Sequence, residues 1–155
     1  MSVGNAWMNP IGQEIRLNAE TEGRQDDLSL ATLADGSVAA AWDGPPGDET
    51  GVFLRRFDAG GVPLGPEVQA DTPNGLDNTD PGIAALGEDG FIVTWSEWNG
   101  VYAPGVSIYA QRFALDGTKE GPAFQINEID GASQWYSEAA TLEDGAAVIS
   151  WRTRD

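Results

Sequence analysis

One spacing constrains this chain more than any other: a leucine is followed nine residues later by a tryptophan, three times over. Leu33-Ala34-Asp35-Gly36 leads to Trp42, Leu86-Gly87-Glu88-Asp89-Gly90 to Trp95, and Leu142-Glu143-Asp144-Gly145 to Trp151. The middle copy moves its Asp-Gly one place along, yet the Leu-to-Trp distance holds. That is the behaviour of a hairpin whose two apolar anchors must reach the same core while its turn varies. Asp-Gly between apolar runs is itself a strong hairpin signal, because both residues tolerate the positive φ of a tight turn.

A second block recurs downstream. Val52-Phe53-Leu54-Arg55-Arg56-Phe57-Asp58-Ala59-Gly60-Gly61 aligns with Ile108-Tyr109-Ala110-Gln111-Arg112-Phe113-Ala114-Leu115-Asp116-Gly117. Strands of the form Glu67-Val68-Gln69-Ala70-Asp71 and Phe124-Gln125-Ile126-Asn127 follow, and Glu14-Ile15-Arg16-Leu17-Asn18 is a third copy of that last strand. The glycine that opens it stands at Gly12, Gly65 and Gly121, which gives periods of 53 and 56 residues. Each period therefore holds two hairpins. Strands are expected near 13–18, 28–33, 37–42, 52–57, 66–71, 82–86, 91–95, 107–113, 123–127, 136–142 and 146–151. No window carries the i, i+3, i+4, i+7 apolar spacing of a helix.

The strands Val38 to Trp42, Phe91 to Trp95 and Ala147 to Trp151 are apolar on both faces. A sheet wet on one side would alternate, so near-continuous apolar character means that both faces are covered. A sheet sealed between two neighbouring sheets meets that condition, as in a β-propeller blade. The expected fold is all-β, a single repeat domain over 1–155 of propeller-type blades, each a four-stranded antiparallel sheet, with about three in the chain. Two connections per period are long, one after the Trp and one after the Asn/Asp position. Taking the post-Trp loop as the crossing gives an incomplete blade 1 over 12–42, blade 2 over 52–95 and blade 3 over 107–151, with no orphan hairpin at the C-terminal side. A closed ring needs about four blades or more, so completion is expected from self-association or from neighbouring repeats of a longer chain.

Composition excludes more than it selects. The chain carries 25 acidic and 8 basic residues, a formal charge of −17. Such a field repels phosphate backbones and anionic membrane surfaces, so neither nucleic-acid binding nor membrane insertion is expected. Cysteine and histidine are absent. Disulfides, thiol nucleophiles, Ser-His-Asp triads, histidine bases and ordinary zinc sites go with them. Residues 1–15 show no charged segment followed by an apolar one, hence no recognisable signal peptide. That leaves a cytoplasmic protein, export by another route, or a piece of a longer chain.

The run Ser107-Ile108-Tyr109-Ala110-Gln111-Arg112-Phe113, with Asp116-Gly117, Gly121 and Phe124-Gln125-Ile126-Asn127, resembles a repeat of large secreted bacterial proteins of the adhesin and hemolysin (RTX-associated) sort. So does Asp80-Pro81 with Ala84-Ala85-Leu86 and Asp89-Gly90-Phe91-Ile92-Val93-Thr94-Trp95. The likeness is close over 80–127, looser over 26–71 and partial at both ends. It implies an extracellular binding or structural role. The Gly-Gly-x-Gly-x-Asp repeat that carries calcium in such proteins is missing, since Val62-Pro63-Leu64 follows Gly60-Gly61.

Candidate sites fall on the loops. The recurring Trp42, Trp95 and Trp151 read as core anchors, with a ring of sugar-stacking platforms as the other reading. Trp98 and Tyr102, beside Glu97, and the pair Trp135-Tyr136 lie on or next to glycine-containing loops. Aromatics beside carboxylates there suit carbohydrate stacking with hydroxyl hydrogen bonds; they suit a protein interface or packing onto a sheet edge equally well. For calcium, oxygen ligands are offered by Asp43 and Asp48 in one acidic loop and by Asp77 and Asp80 in another, although neither spacing is that of an EF-hand. The function expected is a non-catalytic module that recognises a glycan or a protein surface. The alternative is a carbohydrate-active enzyme, a glycoside hydrolase or lyase working through carboxylates such as Asp43, Glu97, Asp130 and Glu138. An incomplete ring is expected to lack the enclosed pocket that would raise a carboxylate pKa by burial. Arg56 and Arg112, at equivalent positions before a core Phe, are expected to be structural partners of acidic side chains in the next strand.

Overall fold

The computed structural model describes residues 14–44, 50–100, 105–128 and 132–154. Ten strands follow in chain order: β1 (Asp26–Thr32), β2 (Val38–Gly44), β3 (Gly51–Phe57), β4 (Val68–Gln69), β5 (Asp77–Ala85), β6 (Phe91–Trp98), β7 (Val106–Phe113), β8 (Lys119–Gln125), β9 (Ser133–Thr141) and β10 (Ala147–Arg154). The single helical element among the described residues is a 3-10 turn over Gly87–Asp89. All pairing is antiparallel, in a first sheet β1-β2-β3-β4, a second sheet β5-β6-β7-β8 and a hairpin β9-β10. The fold is all-β, and these sheets form no closed barrel or ring.

The turns explain the recurring Asp-Gly. In Leu33–Ser37 the leucine N–H donates to the Ser37 carbonyl at 2.8 Å and Gly36 N–H returns to the Leu33 carbonyl at 3.0 Å. Gly36 sits at φ +79°, and the Asp35 carboxylate caps the turn by accepting from Ser37 N–H at 2.9 Å. Leu142–Ala146 repeats the arrangement with Gly145 at φ +83°. Leu86–Gly90 reaches the same leucine bond through the 3-10 turn. A displaced Asp-Gly is thus absorbed within the turn, and the strands keep their register.

Each sheet has two unlike faces. On the face that looks back along the chain, here the leading face, the second sheet presents Ile83, Phe91, Val93, Trp95 and Phe113. The other, trailing face of the first sheet meets them with Leu33, Ala39, Ala41, Val52, Leu54 and Ala70. Small alanines oppose large aromatics, the complementarity of size that close packing needs. Phe91 and Phe113 stack at 5.1 Å between ring centroids. The trailing face of the second sheet (Ala84, Ile92, Ala110) packs in turn on Ala139, Ala147 and Ile149 of the hairpin. Trp42 and Trp95 are buried within core clusters, and Trp151 is half-buried.

Three expectations need correction. Blade limits of 12–42, 52–95 and 107–151 do not match the hydrogen-bonded sheets, because β2 and β3 pair without interruption from Val38↔Phe57 to Gly44↔Gly51. β6 and β7 pair likewise from Phe91↔Phe113 to Trp98↔Val106, so the post-Trp connections join strands of one sheet, and the chain changes sheet after β4 and after β8. The physical reason is that the Trp strand of each four-stranded sheet is central and pairs on both edges. Asp71 and Asn127 then close each sheet, their side chains accepting from Val52 N–H at 3.2 Å and Ile108 N–H at 2.8 Å. The C-terminal hairpin is consequently the two-stranded orphan that the expected phase avoided. Residues 14–18, expected as a strand, pair with none, although Leu17 still packs on Trp42 and Phe57, as Ala70 packs on the second sheet one period later. Finally, Leu142 is not a core anchor like Leu33: it is 47 % exposed against 3 %, because none of the sheets among the described residues covers it.

A candidate ligand cleft at the bulged first strands

Every sheet breaks register at the same place, opposite its tryptophan. The pairs Asp26↔Asp43 and Ser29↔Ala41 leave Asp27 and Leu28 facing Trp42 alone. Thr79↔Ser96 and Gly82↔Thr94 leave Asp80 and Pro81 facing Trp95; Trp135↔Arg152 and Glu138↔Ser150 leave Tyr136 and Ser137 facing Trp151. Two residues against one define a β-bulge, which bends a strand and re-aims a side chain. The first bulge residue is left-handed in all three, with φ +48° at Asp27, +55° at Asp80 and +56° at Tyr136. These are the only non-glycine residues so placed among those described. Their separations are the 53 and 56 residues of the repeat itself. A side chain there costs of order 1 kcal/mol and is held only where its surroundings impose it.

The bulges converge because the first strands of the three sheets adjoin. Asp27, Asp80, Pro81, Gly82, Tyr136 and Ser137 line a cavity of about 360 Å³. A second, of about 420 Å³, shares Asp27, Asp80 and Tyr136 and adds Asp26, Asp43, Thr50, Thr79 and Trp135. Close approach of β5 and β9 requires Gly82, whose absent Cβ would lie 2.7 Å from Thr94 Oγ1 and 2.9 Å from the Ser137 carbonyl. Ser137 Oγ donates to Thr94 Oγ1 at 2.9 Å, and Tyr136 N–H donates to Ser96 Oγ at 3.2 Å, fixing β9 against the second sheet. Arg24 ion-pairs with Asp26 at the rim.

The electrostatics are those of crowded acids. Burial raises the Asp43 carboxyl to about 6, and the nearby Asp27, Asp26 and Asp80 charges push the same way. The Asp80 N–H, donated to Asp43 Oδ2 at 3.3 Å, works against that rise. Asp80 is raised too, first by burial and then by Asp27, against the Thr79 hydroxyl, which lies 3.2 Å from its Oδ2. A carboxylate raised by burial is therefore present, contrary to expectation, because β5 of the second sheet closes over the end of β2 at Asp43. A carboxyl at about 6 exchanges donor for acceptor near neutral pH, which suits hydrogen bonding to hydroxyl groups.

Of the residues marked in the sequence, the structure brings together Asp43, Asp80, Trp135 and Tyr136. Trp98 and Glu97 lie at the far end of β6 and line neither cavity. Burial raises Glu97, while the Asn74 side-chain amide donates to it at 2.8 Å and lowers it. Asp77 is occupied in accepting from Thr50 N–H at 2.9 Å. Tyr102, Asp48 and Asp130 lie outside the described residues. Among those described, no group of three or more acidic side chains is arranged to hold a metal ion. No described helix is long and apolar enough to cross a membrane. Sequence reading missed Asp27, whose signal was its alignment with Asp80 and Tyr136 in the repeat. No protein-family model matches the chain, and no curated protein matches it either.

Proposed function

We propose that this chain is a non-catalytic, propeller-type binding module of a larger secreted assembly, and that it recognises a glycan in the cleft of the bulged first strands. The observation that carries the reading is the threefold recurrence of a left-handed residue at one bulge position, all three lining one cleft. Strain repeated in register marks a site that the fold maintains, and bulges of this kind concentrate beside ligand sites. Trp135 and Tyr136, the latter 58 % exposed, offer faces for stacking on a sugar ring, while Asp27, Asp43 and Asp80 offer hydroxyl partners. The same carboxylates disfavour sulfated or uronic sugars, so the ligand class is neutral or amino-substituted oligosaccharides. The extracellular setting rests on the resemblance of 80–127 to repeats of secreted adhesin and hemolysin-type proteins.

A glycan array followed by titration calorimetry tests this. Binding of a neutral or amino sugar, lost in Trp135→Ala and Tyr136→Ala, is the expected result; no binding, or binding indifferent to both changes, refutes it. Calcium added in low salt should give no heat that depends on Asp43 or Asp80 if the cleft is for sugars alone. One observation favours a second reading: Asp43, raised to about 6 beside Asp80, has the character of a general acid. Turnover of chromogenic glycosides that disappears in Asp43→Asn would establish that enzyme.

A further inference from the structure

The trailing faces of the two four-stranded sheets are built alike and covered unequally. On the first sheet, β7 and β8 of the second lie across the outer half: Phe113 joins the core with Leu54 and Val68, and the Asp116-Gly117 turn sits over Arg56. The Gly117 Cβ position is 3.3 Å from Arg56 Cδ, and Lys119 Nζ donates to the Asp71 carbonyl at 2.9 Å. The Arg56 side chain is thereby left only 12 % exposed while it reaches Asp35 at 2.9 Å. One period later the same positions are bare. Arg112 is 45 % exposed, with Glu120 3.8 Å away, and Phe124, which holds the place of Val68, is 44 % exposed.

The cause lies in the third hairpin. β2 and β6 are each paired on both edges, but their repeat equivalent β10 pairs among the described residues with β9 alone. The strands that would extend β10 are the ones that would cover Phe124 and Arg112. An open edge of unpaired backbone groups is an acceptor for a further strand.

We infer that the free edge of β10 and the bare outer half of the second sheet form one acceptor site for a β-hairpin of the β7–β8 type, supplied from outside residues 14–154. Its chemistry follows from the covered copy. The first strand alternates apolar residues and ends in Arg-Phe, pairing antiparallel with β10. Its phenylalanine packs over Ala110 and Phe124, as Phe113 packs over Leu54 and Val68. Its arginine meets Asp144, which stands where Asp35 stands in the first sheet, and its Asp-Gly turn meets Arg112. Charge and shape agree at both ends of the site.

This chain contains a hairpin of the required kind, so residues 105–128 as a synthetic peptide are the probe. Hydrogen exchange on the intact 155-residue protein reads the outward amides of β10, with and without peptide. Exchange there should slow by about tenfold or more, and a peptide carrying Arg112→Glu should bind about tenfold more weakly. The exposed change Asp144→Arg should restore the charge-reversed peptide. A second form, with a further copy of 99–128 joined after Asp155, removes the entropic cost of bringing the hairpin in from solution. Protection of β10 in either form supports the site. Protection in neither overturns it, as does a dimer in which β10 is already protected without peptide, since a second copy would then hold the edge.

Discussion

Asp43→Asn isolates the cost of holding a carboxylate in the cleft. Its folded value of about 6 stands well above the usual 3.8. For a group shut away from water that rise would correspond to about 3 kcal/mol. The carboxylate borders an open cleft, and solvent screening brings the expected effect to about 1–2 kcal/mol. The sign follows from proton binding. Below about pH 4 Asp43 is neutral whether the chain is folded or not, and the folded state bears no penalty. As pH rises the unfolded chain ionises first, so the folded state loses stability progressively until the pH passes the folded value. Asparagine keeps an oxygen for the Asp80 N–H and never ionises. The variant should therefore match the wild type near pH 4 and exceed it by about 1–2 kcal/mol at about pH 7.5. In a protein of this length that is a rise in Tm of about 3–6 °C. Urea denaturation at a series of pH values, at fixed salt, measures the difference directly. An offset that is the same at every pH, or a variant less stable than wild type at about pH 7.5, would show that Asp43 ionises without cost and that the account of the cleft is wrong.

Three further contrasts use the repeat as its own control, each read by chemical denaturation. Gly82→Ala should cost about 1–3 kcal/mol because its Cβ meets the Ser137 backbone at 2.9 Å, whereas Gly65→Ala, with no heavy atom within 4 Å, should stay within about 0.5 kcal/mol. Leu33→Ala should cost about 2–5 kcal/mol, and Leu142→Ala, the same repeat position left uncovered, about 1 kcal/mol or less. Arg56→Ala should cost about 1–2 kcal/mol, since its Asp35 and Ser37 partners are lost beneath the next sheet, while Arg112→Ala should lie within about 0.5 kcal/mol.

Strand positions were legible because both faces of β2, β6 and β10 are apolar, and because Asp-Gly marks the turns whichever exact residues hold the positive φ. Arg112 meets an acid of the next strand, Glu120, as its repeat position suggested, whereas Arg56 instead meets Asp35 in the preceding turn. Sheet limits were not. The post-Trp loop and the loop after Asp71 are alike in length and composition, and what separates them is a hydrogen bond from the Val52 N–H to the Asp71 side chain. The N-terminal copy misled because its sequence matches β4 while no strand among the described residues pairs with it; Leu17 kept its packing place without the ladder. In the cleft, Asp43, Asp80, Trp135 and Tyr136 were visible as chemistry. Their meeting was not, since a bulge is a property of the backbone with no composition of its own. Glu97 and Asp77 had the right chemistry too, but local amides already engage them.

The inequality of the two faces gives the stack a head and a tail. At the first junction alanines, leucines and a valine meet aromatics, and at the second alanine and isoleucine come from both sides. A whole period spliced in at Asn74-Gly75 would add one complete four-stranded sheet, whereas a half period would leave a sheet with two of its four strands. Length in such a protein is therefore a quantised trait. It can grow or shrink by gene duplication one unit at a time, with one more bulge, and one more left-handed bulge residue, added at every step.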